Sequence, residues 1–176
     1  IVRRIDDLGR VVIPKEIRRT LRIREADPLE IFTDREGEII LKKYSPIGEM
    51  GTFAKQYADS IAQVSGHIAL ISDRDQFIAV AGGMKNLLGK NISSQLEDVI
   101  EKRQLVMASK GERAFVPMAE GEDGEYEQQA ICPIICEGDV IGSVILLNAD
   151  PKKKMSEVEQ KLVQAAGGFL GRQMEQ

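Results

Sequence analysis

The chain has 176 residues, 43% hydrophobic and 30% charged, with a formal net charge of −4. That length holds one large domain or two small ones, and no apolar run approaches the roughly 18 residues of a membrane span. No charged-then-apolar-then-small signal pattern opens the chain; the first residue is Ile1 rather than methionine, so a few further N-terminal residues are expected.

The charge is uneven. From Ile1 to Arg24 eight basic residues face three acids, a balance of +5, which leaves −9 for Glu25 to Gln176. A basic patch on an acidic chain points to a polyanionic partner, most commonly nucleic acid.

Ile1–Ile5 and Arg10–Ile13 read as short strands flanking the turn Asp6-Asp7-Leu8-Gly9. Pro14 suits a helix start, and Lys15–Arg22 reads as a short amphipathic helix with Ile17 and Leu21 inside and Arg18, Arg19 and Arg22 outside. Leu29–Thr33 and Glu38–Tyr44 form a second hairpin around Asp34-Arg35-Glu36-Gly37. Its run Ile39-Ile40-Leu41 implies that both strand faces are covered. A domain of some 44 residues buries little by itself, and two short hairpins leave open edges. Both defects disappear if two copies interlock, so an obligate dimer is expected.

Residues 46–52, with Pro46, Gly48 and Gly51, read as a linker between a first domain at 1–45 and a second at 53–176. Thr52 is placed to cap a helix from Phe53 to about Val64 carrying a large stripe (Phe53, Tyr57, Ile61) and an alanine stripe (Ala54, Ala58, Ala62). The alanines would admit a neighbouring helix or pack on the domain's own sheet. Strands follow at His67–Ser72 and Phe77–Ala81, then a helical turn at Met84–Leu88. Ser94 to Glu97 has capping-box spacing and opens a helix to about Leu105. Ala114–Pro117 reads as a short strand and Met118–Glu127 as a mobile acidic loop (Glu120, Glu122, Asp123, Glu125, Glu127). A strong hairpin, Gln128–Cys136 with Val140–Asn148, precedes a second capping box at Ser156 and Glu159 and a terminal helix. The second domain is therefore a mainly antiparallel sheet with helices packed on it.

Chemistry-bearing residues are sparse. Cys132 and Cys136 lie in one expected strand, roughly 13 Å apart, too far to bridge; they read as core residues in a reducing cytoplasm. His67 is the single histidine, with no second ligand at metal spacing. No nucleophile–base pair supports an enzyme, and no cofactor or metal is implied.

The run from Ile1 to Leu21, with its Leu8-Gly9-Arg10 turn, Val11-Val12-Ile13-Pro14 and the Arg18-Arg19 helix, closely resembles the AbrB-type transition-state regulators. Leu29–Phe32 and Ile39–Tyr44 continue the match. The resemblance implies a swapped-hairpin barrel, an interlocked dimer rich in β-structure, that binds double-stranded DNA. The positions matching the family's DNA-contacting arginines are Arg3, Arg10, Arg18 and Arg19, with Arg4 beside them. Arg forks suit phosphates and guanine edges. The alternative is that these arginines are solvated or paired with Asp6, Asp7 and Glu16.

From about Ser45 onward the chain resembles AbrB-type sporulation regulators that carry a C-terminal GAF domain, an α+β fold with flanking helices. The features are Lys42–Ile47, Gly66-His67, Asp73-Arg74-Asp75 and the ending Ala165–Gln176. This resemblance implies a transcription regulator of late sporulation or germination genes, cytoplasmic and nucleoid-associated in the forespore of an endospore former. It also implies a small-molecule sensor or a dimerisation module; pairing through the flanking GAF helices would join the dimers into a homotetramer, with Gly167 and Gly171 permitting a close crossing or packing within one subunit. Two other readings stand beside it: an antitoxin-like module that binds a small toxin, and a GAF-based redox sensor or enzyme using the cysteines.

Overall fold

The computed structural model describes residues 1–122 and 124–175; Asp123 of the expected acidic loop and Gln176 of the C-terminal motif lie outside them. The chain divides into two compact units, Ile1–Tyr44 and Ser45–Gln176.

In the first unit, Pro14 opens the helix α1 (Lys15–Thr20), and β1 (Leu29–Thr33) pairs antiparallel with β2 (Ile39–Lys43), Leu29 opposite Lys43 and Thr33 opposite Ile39. The expected strands Ile1–Ile5 and Arg10–Ile13 do not form within one chain: among the described residues the arms carry one rung, Asp6 N–H to the Arg10 carbonyl at 3.0 Å. Alternation marks a segment shaped for a sheet; it does not say which chain supplies the neighbour. The helix also ends two residues early, because Arg22 turns left-handed (φ 56°) and becomes half-buried rather than facing outward. The register places Leu29, Ile31, Ile39 and Leu41 on one face of the hairpin and Phe32 and Ile40 on the other. Within the unit only Pro14 is buried.

The second unit is a five-stranded antiparallel sheet with order β4-β3-β7-β6-β5, where β3 is Ile68–Ser72, β4 Phe77–Ala81, β5 Val106–Ser109, β6 Gln128–Cys136 and β7 Asp139–Leu147. One face is covered by α2 (Gly51–Ser65) and α4 (Glu157–Gln173), the other by α3 (Ser94–Glu101) and the loops around it. The strands read as near-continuous apolar runs because both faces are covered: Leu70, Ile71, Ile131 and Ile145 are all fully buried.

Several expectations are revised. Residues 46–52 are folded: Ile47 is buried, Gly48–Met50 forms a 3-10 turn, and α2 starts at Gly51, leaving Thr52 inside the helix. The alanine stripe packs on the unit's own sheet, with Ala54 and Ala58 fully buried. Gly167 and Gly171 serve the same sheet, since a Cβ at Gly171 would lie 2.2 Å from the Ile135 carbonyl. Ser93, not Ser94, caps α3 by accepting from Leu96 N–H (3.0 Å). The edge strand is Val106–Ser109 rather than Ala114–Pro117. The latter looks strand-like because the buried amide of Gln129 substitutes for a partner strand, exchanging 2.8 Å hydrogen bonds with both backbone groups of Val116. The acidic loop is seated on the unit, with Met118 and Tyr126 buried and the Glu120 carboxylate accepting from Ser94.

Candidate nucleic-acid interface

The basic face begins with a turn built by one aspartate. Asp6 Oδ1 accepts from Leu8 N–H (3.0 Å) and Arg10 N–H (2.8 Å), and Gly9 supplies the left-handed residue (φ 77°). Asp6 Oδ2 accepts from Arg10 Nε at 2.8 Å. The Arg10 backbone N–H and side chain hold the Asp6 carboxyl below its ordinary range. Arg3, Arg4, Arg18 and Arg19 are all exposed. Arg18 is tethered, donating from Nε to the Ile13 carbonyl at 3.1 Å.

Arg24 and Lys43 are engaged internally. Asp27, with a side chain only 4% exposed, accepts from Arg24 N–H at 2.8 Å and lies 3.8 Å from the Arg24 guanidinium and 3.9 Å from the Lys43 ammonium. Lys43 also donates to the Arg22 carbonyl at 2.7 Å. The cluster joins residues from separate parts of the unit, so its ion pairs depend on the fold. Arg3, Arg4, Arg10, Arg18 and Arg19 face outward on the two arms and α1, and Lys15, Arg35 and Lys42 are exposed as well. Of the pairings weighed as an alternative, the one between Asp6 and Arg10 is present, and it still leaves Arg10 71% exposed.

Comparison with known proteins identifies the chain. Residues 2–49 match the model of the MazE antidote-toxin recognition domain of bacterial antitoxins, and residues 49–175 match the model described as stage V sporulation protein T C-terminal, transcription factor. Stage V sporulation protein T of Bacillus subtilis (strain 168) is 55% identical over 177 residues, spanning 100% of this chain and 97% of that protein. The chain belongs to the stage V sporulation protein T family. Transition state regulatory protein AbrB of the same organism is 42% identical over 103 residues, 58% of this chain and 88% of that protein. The GAF domain of an Acinetobacter phosphoenolpyruvate-protein phosphotransferase shares the fold of the second unit, with a TM-score of 0.56 at 18% identity over 71% of this chain and 81% of that one. The molecule is a DNA-binding sporulation transcription regulator with an AbrB/MazE-type N-terminal domain and a GAF-like α+β C-terminal domain.

Cys132, Cys136 and His67 lie in the second unit. Burial pushes both thiols up, and nearby Glu137, Glu175 and Asp139 add to the effect at Cys136, which disfavours the thiolate form. The His67 ring is buried and meets Glu159 Oε1 at 3.1 Å, joining β3 to the capping box of α4. No helix of the described residues is long and apolar enough to cross a membrane. A groove of about 700 Å³ runs between α3 and residues 113–116, with Asp98, Lys102 and Arg113 among its lining.

Proposed function

We propose that two chains interlock through residues 1–44 into one swapped-hairpin barrel that grips double-stranded DNA with Arg3, Arg4, Arg10, Arg18 and Arg19. The observation that carries this reading is the bare first unit. Fourteen large apolar side chains are exposed between Ile1 and Tyr44, among them Ile31 at 70% and Ile39 at 68%. Apolar surface on that scale calls for a partner, and a second copy supplies both the cover and the missing strands for the arms. Doubling then brings two sets of these five arginines into one assembly.

Residues 45–176 pair the dimers into a tetramer. The clustered rings of Phe53, Tyr57 and Phe169, with centroids 5.4–6.2 Å apart, supply the contact surface, and Val64 and Val158 on the same helices are 80% and 64% exposed. The large stripe of α2 makes this contact, since the alanines are spent on the sheet. The effector is a small molecule held in the groove beside α3, and it acts by binding two arrangements of the paired units unequally. The genes controlled belong to late sporulation or germination.

The test is a fluorescence-anisotropy titration of short duplex DNA at several salt concentrations. Wild type should bind with an affinity that falls steeply with salt. Arg18→Ala with Arg19→Ala removes four charges per dimer and should make the log–log salt slope shallower by about three to four units, with the oligomer intact. Absence of binding by wild type at low salt would sink this reading. Copurification with a small toxin would then favour the antitoxin-like one, to which the match over residues 2–49 belongs.

A further inference from the structure

One turn occurs twice in the first unit with opposite chemistry at its closing residue. Asp34 Oδ1 accepts from Glu36 N–H (3.0 Å) and Glu38 N–H (2.8 Å), Gly37 is left-handed (φ 88°), and Asp34 N–H donates to the Glu38 carbonyl (3.2 Å). This is the hydrogen-bond plan of Asp6, Gly9 and Arg10, with a glutamate where the first turn has an arginine. Among the described residues the second turn closes without an ion pair, so the bond from Arg10 Nε to Asp6 Oδ2 is not needed to form the first. Nor is it a source of stability, since both partners are exposed (71% and 37%) and such pairs contribute little in water.

Its consequence is directional. Binding at Nε restrains the guanidinium, and the contact to Asp6 is made by Nε alone, which leaves the end-on pair of terminal amino groups, the fork that reads a phosphate or a guanine edge, to a further partner. An arginine restrained in this way loses less freedom on binding than a free one. A carboxylate on a DNA-facing turn also repels the phosphate backbone, and that repulsion acts on every sequence alike.

We propose that Asp6 is a positioning residue: it aims Arg10 at the DNA, exchanging some sequence-independent affinity for selectivity. This rests on the DNA reading of Arg10 given above. Asp6→Asn separates the two jobs of the side chain. The amide oxygen still accepts from Leu8 and Arg10 N–H and keeps the turn, whereas the amide nitrogen meets Arg10 Nε donor to donor and releases the guanidinium. Asp34→Asn makes the same exchange in a turn that holds no arginine.

The experiment uses the full chain with two probes: duplexes enriched by wild type from a randomised library, and the unselected library itself. Asp6→Asn should lose about tenfold on the enriched duplexes, the scale of one good bidentate contact, while binding the unselected library as well as or better than wild type. Asp34→Asn should match wild type on both probes, and circular dichroism should match for all proteins. Arg10→Ala runs alongside. If it loses affinity while Asp6→Asn keeps wild-type selectivity, the positioning role is overturned and the DNA reading stands. If Arg10→Ala itself binds as wild type, the reading of Arg10 falls and the proposal falls with it.

Discussion

Residues 45–176 enclose Leu70, Ile71, Ile131 and Ile145 to under 2% exposure between helices and loops, while residues 1–44 hide Pro14 and leave Ile31, Ile39 and Val12 at about 70%. The two units have comparable apolar patterning and differ in where the cover comes from. The larger one has enough chain to close over both faces of its own sheet. The smaller one falls in the size range where a core needs help from outside. An unburied apolar face in a single copy is therefore informative about assembly, and it is the place where this comparison is easiest to break.

The largest expected effect comes from Ile31→Lys. On an isolated chain a 70%-exposed side chain should tolerate the change within about 0.5 kcal/mol. If the hairpin faces a partner copy, the charge is buried in the interface and the dimer and its DNA binding are lost together. Light scattering beside anisotropy decides between the two. An intact oligomer that still binds DNA would refute the interlocked arrangement.

The counterpart in the larger unit is graded. Leu70→Ala should cost about 2–5 kcal/mol, as a fully buried leucine does, read from the midpoint of chemical denaturation. Two glycines on α4 sharpen the comparison further. Gly171→Ala drives a methyl to 2.2 Å from the Ile135 carbonyl and should destabilise by about 1–3 kcal/mol. Gly168→Ala meets nothing within 4 Å and should stabilise by up to about 1 kcal/mol, because alanine is the better helix former. Equal effects at the two positions would mean that α4 does not rest on β6.

These glycines also illustrate what the sequence reveals. The hairpin of β6 and β7, the β3–β4 pair and the capping box of α4 were legible because alternation and cap spacing are local. The outward arginines were legible as an excess of charge. Three things were not. The partner of a small residue is unspecified by its spacing, so Ala58 and Gly171 suited a helix crossing as well as a sheet. A side-chain amide can imitate a strand, as Gln129 does for Val116. And the acid that pairs with a given arginine depends on the turn between them: Asp6 and Asp7 look alike on the page, and the hydrogen bonds to Leu8 and Arg10 single out Asp6.

The smallest effect concerns carboxylates, which both units use to close local structure. Burial raises the Glu159 carboxyl, but hydrogen bonds from Ser156 and His67 outweigh it and the group titrates below its ordinary range. Asp6 and Asp34 are also lowered, chiefly by backbone N–H groups, yet they stand in open solvent. In every case the folded state favours the charged form, so the contribution is present above the ordinary carboxylate range and fades as pH falls through the lowered value. Glu159→Gln, whose amide oxygen can still accept from Ser156 N–H, should therefore cost no more than about 1 kcal/mol at neutral pH, and that difference from wild type should shrink below about pH 4. Asp34→Asn, whose backbone hydrogen bonds survive in an exposed turn, should show a smaller shift over the same range. A pH-independent gap at Glu159 would mean that its packing against His67, rather than its charge, holds the start of α4.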